Sequence, residues 1–275
     1  MNFVGNGARL RDEDLPRIGY MIGVGEDEIH AFLDVETLGG GWDKRGRPKA
    51  LFEPHVFFRN LSGTKRASAV SSGLAYASWG QKPYPTDSYP RIIAAMQIDE
   101  TAALKATSWG IGQVLGENYV AAGYDNPQAM VRAFVEKGEA EQLEAAIRFI
   151  KFNRLDDELR AHNWAGFARG YNGSRYAEHG YHTKLAAAFK KWRAILDTPW
   201  SPEIKMADAL HTPGVSPADP PTPIPVASVG ETKVVRAGPG ILEPPPLIVG
   251  NKPAPQPAPP AGFFARLASA LGWRS

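Results

Sequence analysis

The sequence contains no cysteine, which excludes disulfide bonds and thiolate metal sites and leaves the redox compartment open. It has no uninterrupted apolar run of about 18 residues, the length that a membrane-spanning helix requires. Its first residues, MNFVGNGARLRDEDLPRIGY, lack the charged-then-apolar order of a secretion signal. We therefore predict a protein that is made in the cytoplasm without a signal peptide and that another factor must release if it acts elsewhere.

Metal and phosphate motifs are also missing. The histidines are scattered without an H-E-x-x-H pattern, and the glycines of ETLGGGWDKRG do not continue into a phosphate loop. The net charge is only +2, with an isoelectric point near 8.7. That excess favours approach to anionic polymers such as cell walls or lipid head groups but is too small to indicate nucleic-acid binding. We expect no metal, no cofactor and no nucleic-acid partner.

The composition changes near Pro199. Before it, helical patterns are frequent and strand-like alternation is scarce, whereas residues 199–260 hold 17 of the 24 prolines. We predict a mainly α monomer with a flexible N-terminus at residues 1–11 and a helical domain at residues 12–198. A disordered Pro-rich linker at residues 199–260 and a short amphipathic helix at residues 261–275 are expected to follow.

Six segments carry the strongest helical patterns: DEDLPRIGYMIG, EDEIHAFLDVE, SYPRIIAAMQIDETAALKA, NPQAMVRAFVEKG, EAEQLEAAIRFIKFN and YHTKLAAAFKKWRAIL. We interpret EKGEAEQLEAA as a solvated helix face. A short β-hairpin is predicted from Trp42 to Phe58, with its turn at residues 44–48.

Glu36 continues an apolar stripe formed by Ile29, Phe32 and Leu33 at helical spacing, and three glycines follow it. Burial and the negative end of a helix dipole both disfavour the carboxylate anion, so we expect a raised pKa at Glu36. Such an acid can protonate a leaving group. The glycines at 39–41 would let the chain turn away and keep bulk off the acid.

The alternative interpretation of Glu36 is structural: a glutamate at a helix end, paired with Arg45 or Arg47. A second pattern, SWGIGQ, offers Ser108 as a helix cap, close backbone approach at its glycines, and the Gln113 amide. This surface suits the N-acetyl groups and hydroxyls of amino sugars, with Trp109 available for stacking, but it is equally explained as a turn between helices.

The order of Glu36, then SWGIGQ, then YNG at residues 171–173 resembles goose-type lysozymes and soluble lytic transglycosylases. The wider run, with GRPKALFEPHVF, SWGIGQVLGENY and FARGYNGSRYAEHGYHTKLAAAF, resembles the phage N-acetylmuramidase endolysins over residues 12–196. The resemblance implies a lysozyme-like helical fold with a small β element beside a cleft. It also implies Glu36 as catalytic acid, Gln113 as a saccharide contact, and Tyr171 and Asn172 lining the cleft.

The implied reaction is cleavage of the β-1,4 bond between N-acetylmuramic acid and N-acetylglucosamine in bacterial peptidoglycan. A second carboxylate could come from Asp43 on the predicted hairpin or from Glu53, with His55 on the same side of an extended strand. Either residue could instead be structural. A lytic transglycosylase, which needs no second carboxylate, and a non-catalytic wall-binding module remain as alternatives.

The C-terminal segment AGFFARLASALGWRS places Phe263, Phe264, Leu267 and Leu271 near one helical side. This composition suits the interface of an anionic bilayer, so we expect peripheral membrane contact through residues 261–275. Docking on the catalytic domain or an unstructured end are the alternatives.

Overall fold

The structure, a computed structural model, describes residues 1–37, 39–173 and 176–202. The predictions for the Pro-rich linker beyond residue 202 and for the amphipathic segment 261–275 lie outside these residues. Within the described ranges, no helix is long and apolar enough to cross a bilayer.

The described chain is mainly helical, with a small antiparallel sheet. The helices are α1 (Asp14–Tyr20), α2 (Glu26–Glu36), α3 (Pro54–Asn60), α4 (Gly63–Ser71), α5 (Tyr89–Lys105), α6 (Pro127–Lys137), α7 (Glu139–Phe152), α8 (Asp156–Arg160), α9 (Trp164–Asn172) and α10 (Tyr181–Trp192). The strands are β1 (Ala50–Phe52), β2 (Thr107–Trp109) and β3 (Val114–Leu115). The predicted fold class is therefore confirmed for the described residues.

All six segments with strong helical patterns form helices, namely α1, α2, α5, α6, α7 and α10. The sequence did not predict α3, α4, α8 and α9. These helices have 7, 9, 5 and 9 residues. Fewer than three turns give too few repeats of the apolar spacing to stand out from a loop.

The small β element is assembled differently from the predicted hairpin. The turn forms where expected, since the Asp43 amide donates to the Arg47 carbonyl and Trp42 bridges to Pro48. Beyond the turn, β1 pairs with β2, whose residues lie far along the chain, and Pro54 begins a helix. The sheet order is β1-β2-β3, so the hairpin of this domain is β2–β3, joined by residues 110–113.

The N-terminal residues 1–11, predicted to be flexible, pack on the domain. The Phe3 side chain is buried and stacks on Trp109 with 5.7 Å between ring centroids. The Gly5 amide donates to the Gly46 carbonyl, and the Ala8 carbonyl accepts from the Trp42 indole. An apolar residue and well-placed main-chain groups therefore fix a segment that has no helical or strand periodicity.

Helix α2 lies in the core against α1 and α10. Its predicted apolar stripe is mostly buried: Ile29 and Phe32 are fully inaccessible, Leu33 is partly buried, and Glu36 at the end of the stripe is 3% exposed. The Phe32 ring packs edge-on against Phe167 and Tyr171 of α9. The packing of α2 in the core therefore places the Glu36 carboxyl at the end of α2, next to α9.

Candidate active site

A cleft of about 180 Å³ opens beside the end of α2, and we call it the Glu36 cleft. Five residues predicted from three separate sequence patterns line it: Glu36, Ser108, Gln113, Tyr171 and Asn172. The folding of α2, the sheet and α9 brings these patterns together across more than 130 positions of the chain. The remaining lining residues are Leu51, Gly112, Val114, Leu115, Asn118 and Phe149.

The Glu36 carboxyl has one paired and one unpaired oxygen. Oε1 accepts a 2.8 Å hydrogen bond from Nδ2 of Asn172, whereas the buried Oε2 makes no hydrogen bond within the described residues. Burial raises the pKa of Glu36 to about 7, although the Asn172 hydrogen bond and the charge of Lys184 act in the opposite direction. Because Oε1 already serves as an acceptor, the proton of the neutral acid belongs on Oε2.

The alternative ion pair of Glu36 with Arg45 or Arg47 does not form. The Arg47 guanidinium binds Asp43 at 2.6 Å and Asp87 at 3.2 Å, and Arg45 lies 3.8 Å from Asp87. These contacts leave desolvation as the largest influence on the Glu36 carboxyl. Glu36 is therefore a buried carboxyl that holds its proton up to near-neutral pH.

Helix α9 supplies two side chains at the cleft. Its N-cap is Asn163, whose side chain accepts from the Gly166 amide, and it ends at Gly173, where φ is 84°. The Tyr171 hydroxyl donates to the Gly112 carbonyl at 3.3 Å, and burial raises the pKa of Tyr171, so the phenol stays neutral. This contact joins the last turn of α9 to the β2–β3 loop.

Gln113 is the last residue of the β2–β3 loop. Its backbone φ is 46°, a left-handed conformation that residues other than glycine rarely adopt. Its Nε2 donates to the Gly110 carbonyl at 2.8 Å and to the Lys49 carbonyl at 3.3 Å. Its Oε1 is buried and has no hydrogen-bond partner in the part of the chain that the structure describes. Strain of about 1–3 kcal/mol and an unused acceptor are features that concentrate at binding sites.

The predictions for Ser108 and Trp109 require correction. Both residues lie in β2, so Ser108 is not a helix cap; it pairs with Leu51 and faces the cleft. Trp109 is fully buried, stacks on Phe3, and donates from its indole to the Leu104 carbonyl. Neighbouring strand residues point to opposite faces, so the face that presents Ser108 to the cleft turns Trp109 into the core. Trp109 cannot stack on a sugar there.

The Asp43 carboxylate accepts hydrogen bonds within its own turn. One carboxylate oxygen accepts from the backbone amides of Arg45 and Arg47, and the other accepts from the Arg47 side chain. Asp43 lines a second concave surface and is not among the residues that line the Glu36 cleft. Its contacts are those of a residue that fixes the turn.

Glu53 lies at the N-cap of α3, one residue beyond β1. Its Oε2 accepts from the Tyr84 hydroxyl at 2.6 Å and lies 3.5 Å from Nδ1 of His55. Burial raises the pKa of Glu53 to about 7 and lowers that of His55 to about 4, so the two groups approach without forming an ion pair at neutral pH. Glu53 is also absent from the lining of the Glu36 cleft.

Two buried residues at the start of α7 accept hydrogen bonds from the backbone of the segments next to the cleft. The interpretation of EKGEAEQLEAA as a solvated helix face did not predict their burial. Glu139 is 3% exposed and accepts from the Gly41 amide at 2.6 Å. Gln142 is fully buried and accepts from the Ile111 amide at 2.9 Å. We call Glu139 and Gln142 the α7 brace, because they hold the chain after Glu36 and the β2–β3 loop in place.

The three glycines after α2 are explained by a turn at Gly39 and by close packing at Gly40 and Gly41. Gly39 has a φ of 78° with open space around it, which fits the predicted sharp turn. A Cβ on Gly40 would lie 2.0 Å from the Arg9 guanidinium and 2.7 Å from Glu139. One on Gly41 would lie 1.9 Å from the Gln142 side-chain oxygen. Close approach to Arg9 and the α7 brace, which the sequence did not indicate, therefore explains Gly40 and Gly41.

The described residues contain no group of three or more His, Cys, Asp or Glu side chains that could hold a metal ion. Asn118 and Phe149 line the cleft but were not predicted as site residues. Asn118 belongs to the quoted run SWGIGQVLGENY, which was the available signal; Phe149 lies on a helix whose pattern indicates only packing.

Comparison with known proteins matches the N-acetylmuramidase family over residues 26–193, more than half of the chain. Among solved structures, the chain is similar to the crystal structure of the Burkholderia AP3 phage endolysin, with 36% sequence identity and a TM-score of 0.63. That alignment covers 68% of this chain and 72% of the other. A search of curated proteins gave no match. The matched region contains Glu36, the β2–β3 loop and α9, and the chain therefore belongs to the N-acetylmuramidase family of peptidoglycan-degrading enzymes.

Proposed function

We propose that this enzyme hydrolyses the β-1,4 bond between N-acetylmuramic acid and N-acetylglucosamine, with Glu36 as general acid. The observation that carries this proposal is the Glu36 carboxyl: it is buried at the end of α2, it belongs to the lining of the cleft, its pKa is raised to about 7, and its Oε2 makes no hydrogen bond within the described residues. A general acid must hold its proton at working pH and release it to the leaving oxygen. Similarity to a phage endolysin supports action on the host cell wall after release from the cytoplasm.

The cleft offers a role for each polar group around this acid. Asn172 fixes the orientation of Glu36 through Oε1 and leaves Oε2 to protonate the glycosidic oxygen. The unpaired Oε1 of Gln113 can accept the N–H of an N-acetyl group, and the Ser108 hydroxyl can bond a sugar hydroxyl. The N-acetyl contact would satisfy the Gln113 Oε1, which is buried and makes no hydrogen bond within the described residues.

Hydrolysis also requires a second catalytic group. Asp43 and Glu53 remain the candidates, but Asp43 is held by Arg47, and Glu53 has a pKa near 7 and a hydrogen bond from Tyr84. Among the described residues that line the Glu36 cleft, Glu36 is the one carboxylate. This observation favours a second candidate function, lytic transglycosylation, in which the same acid works without a second carboxylate.

Mass spectrometry of muropeptides released from purified sacculi separates these functions. We expect products that end in a reducing N-acetylmuramic acid, because water attacks the sugar in hydrolysis. Products that are lighter by one water and carry a 1,6-anhydro end would show that the enzyme is a lytic transglycosylase and not a hydrolase. If zymograms with purified sacculi show no clearing and no muropeptide appears, the chain is a wall-binding module and both catalytic proposals fail.

The rate of sacculus cleavage is expected to fall as pH rises through about 7, because Glu36 must be protonated to act and its pKa is raised to about 7. Asn172→Ala removes a hydrogen bond that stabilises the anion. The pKa of Glu36 should then rise further, and the alkaline limb of the pH profile should move to higher pH.

Asn118→Ala is the matched control, since it removes another amide from the cleft wall and leaves the bond between Asn172 and Glu36 intact. Its pH profile should coincide with that of the parent. A parent rate that still increases at about pH 9, or an Asn172→Ala limb that moves to lower pH, would contradict Glu36 as a protonated acid.

A further inference from the structure

A second concave surface of about 470 Å³, which we call the basic groove, lies next to the chain segment that follows Glu36. Residues from the N-terminus, the turn after α2, and the segment before α5 form its walls. Its lining includes five cationic side chains: Arg9, Lys44, Arg45, Arg47 and Lys49. Two carboxylates, Asp43 and Asp87, also line it, and Arg9 is ion-paired with Glu139 at 3.0 Å; the five cations still exceed these three acids.

The two carboxylates of the groove form ion pairs with a cation of the same groove. Both bind Arg47, whose guanidinium also lies 3.8 Å above the centre of the Tyr89 ring. Lys44 and Arg45 stand at the exposed rim, where Arg45 is 73% exposed and only 3.8 Å from Asp87. The excess positive charge of the groove is therefore concentrated on a rim that solvent and ligands can reach.

Lys49 places a further amine in the wall of the groove. Only 8% of the residue is exposed, and burial lowers the pKa of Lys49 to about 8. The Lys49 carbonyl also accepts from Gln113, so a residue that lines the groove is hydrogen-bonded to a residue that lines the Glu36 cleft.

We propose that the basic groove binds the carboxylates of the peptide stem that peptidoglycan carries on muramic acid; this proposal rests on the proposed function. Gly40 lines the groove only four positions after Glu36, so the nearest part of the groove lies within about 14 Å of the Glu36 backbone. An extended stem of four or five residues covers about 14–17 Å. A glycan in the cleft can therefore place its stem in the groove.

The test compares two substrates with the double variant Lys44→Gln/Arg45→Gln in the full chain. The fold should survive, because the Asp43 carboxylate holds the turn through the backbone amides of Arg45 and Arg47 and not through the two substituted side chains. On glycan strands that carry stems, KM should rise about threefold to tenfold with kcat nearly unchanged. On strands stripped of stems by an amidase, KM should match that of the parent.

Arg132→Gln/Lys190→Gln is the control, because it removes the same charge from exposed positions outside the groove. Equal KM values for the groove variant and this control on stem-bearing strands would overturn the proposal. So would an equal rise on stripped strands, which would mean that the groove contacts the glycan itself.

Direct binding separates this proposal from the proposed function. Calorimetry with a soluble stem peptide should show binding to the parent chain, weaker binding to the groove variant, and loss of binding when the peptide carboxylates are amidated. These results would support the groove even if the parent cleaved neither glycan, an outcome that would refute only the proposed function. Equal binding of free and amidated peptide, or no binding to the parent, would refute the groove.

Discussion

Glu36→Gln is expected to reduce sacculus cleavage by about 10² to 10⁴ while leaving the fold intact. The amide has nearly the shape of the carboxyl and can still accept the Asn172 hydrogen bond, but it has no proton to give to a leaving oxygen. It also removes an ionisable group from a site where burial disfavours the anion. Initial rates of sacculus clearing, with circular dichroism to verify folding, provide the measurement.

Two control variants show whether the loss is specific. Asp43→Asn and Glu53→Gln make the same change at the carboxyls proposed as the second catalytic group. Loss of activity in one of them would identify the assisting carboxylate, whereas two active variants would favour transglycosylation. If Glu36→Gln clears sacculi within about threefold of the parent rate, the acid lies elsewhere.

Trp109→Ala is expected to destabilise the domain by about 3–5 kcal/mol, the cost of removing a large aromatic side chain from a core. The indole is fully buried, stacks on Phe3, packs near Tyr89, and donates to the Leu104 carbonyl, so the cavity would lie under the sheet that carries the cleft. For a domain of this size the melting temperature should fall by about 6–20 °C.

Ser108→Ala is the matched control, since it changes the adjacent residue on the opposite face of β2. Calorimetry should give a melting temperature close to that of the parent. A Trp109→Ala protein that melts like the parent but has a raised KM for sacculi would restore the interpretation of Trp109 as a sugar-stacking residue.

The sequence predicted those parts of the molecule that depend on local spacing. The position of Glu36 on the buried stripe of α2 follows from helical periodicity, and the structure confirms its burial. The raised pKa at Glu36 follows from that burial. The placement of Gln113, Tyr171 and Asn172 around it came from a family resemblance, because no local rule relates positions so far apart.

What the sequence did not predict depends on pairing across long separations. The register of β1 on β2 decides which face of each strand meets the cleft, and a shift by one residue would exchange Ser108 with Trp109. Glu139 was misinterpreted for a similar reason. A charged residue at the start of a helix is usually solvated, but here the Gly41 amide, nearly 100 positions earlier, approaches it in the interior.

The α7 brace makes the β2–β3 loop, which forms one wall of the Glu36 cleft, and the chain segment after α2 part of the same cooperative unit as the core. Glu139 and Gln142 bind the Gly41 and Ile111 amides from a helix whose inner face is buried, so neither segment can move outward without breaking buried hydrogen bonds. A wall that is ordered before the ligand arrives loses little conformational entropy on binding. The binding energy of the polymer can therefore serve to orient its sugars against Glu36.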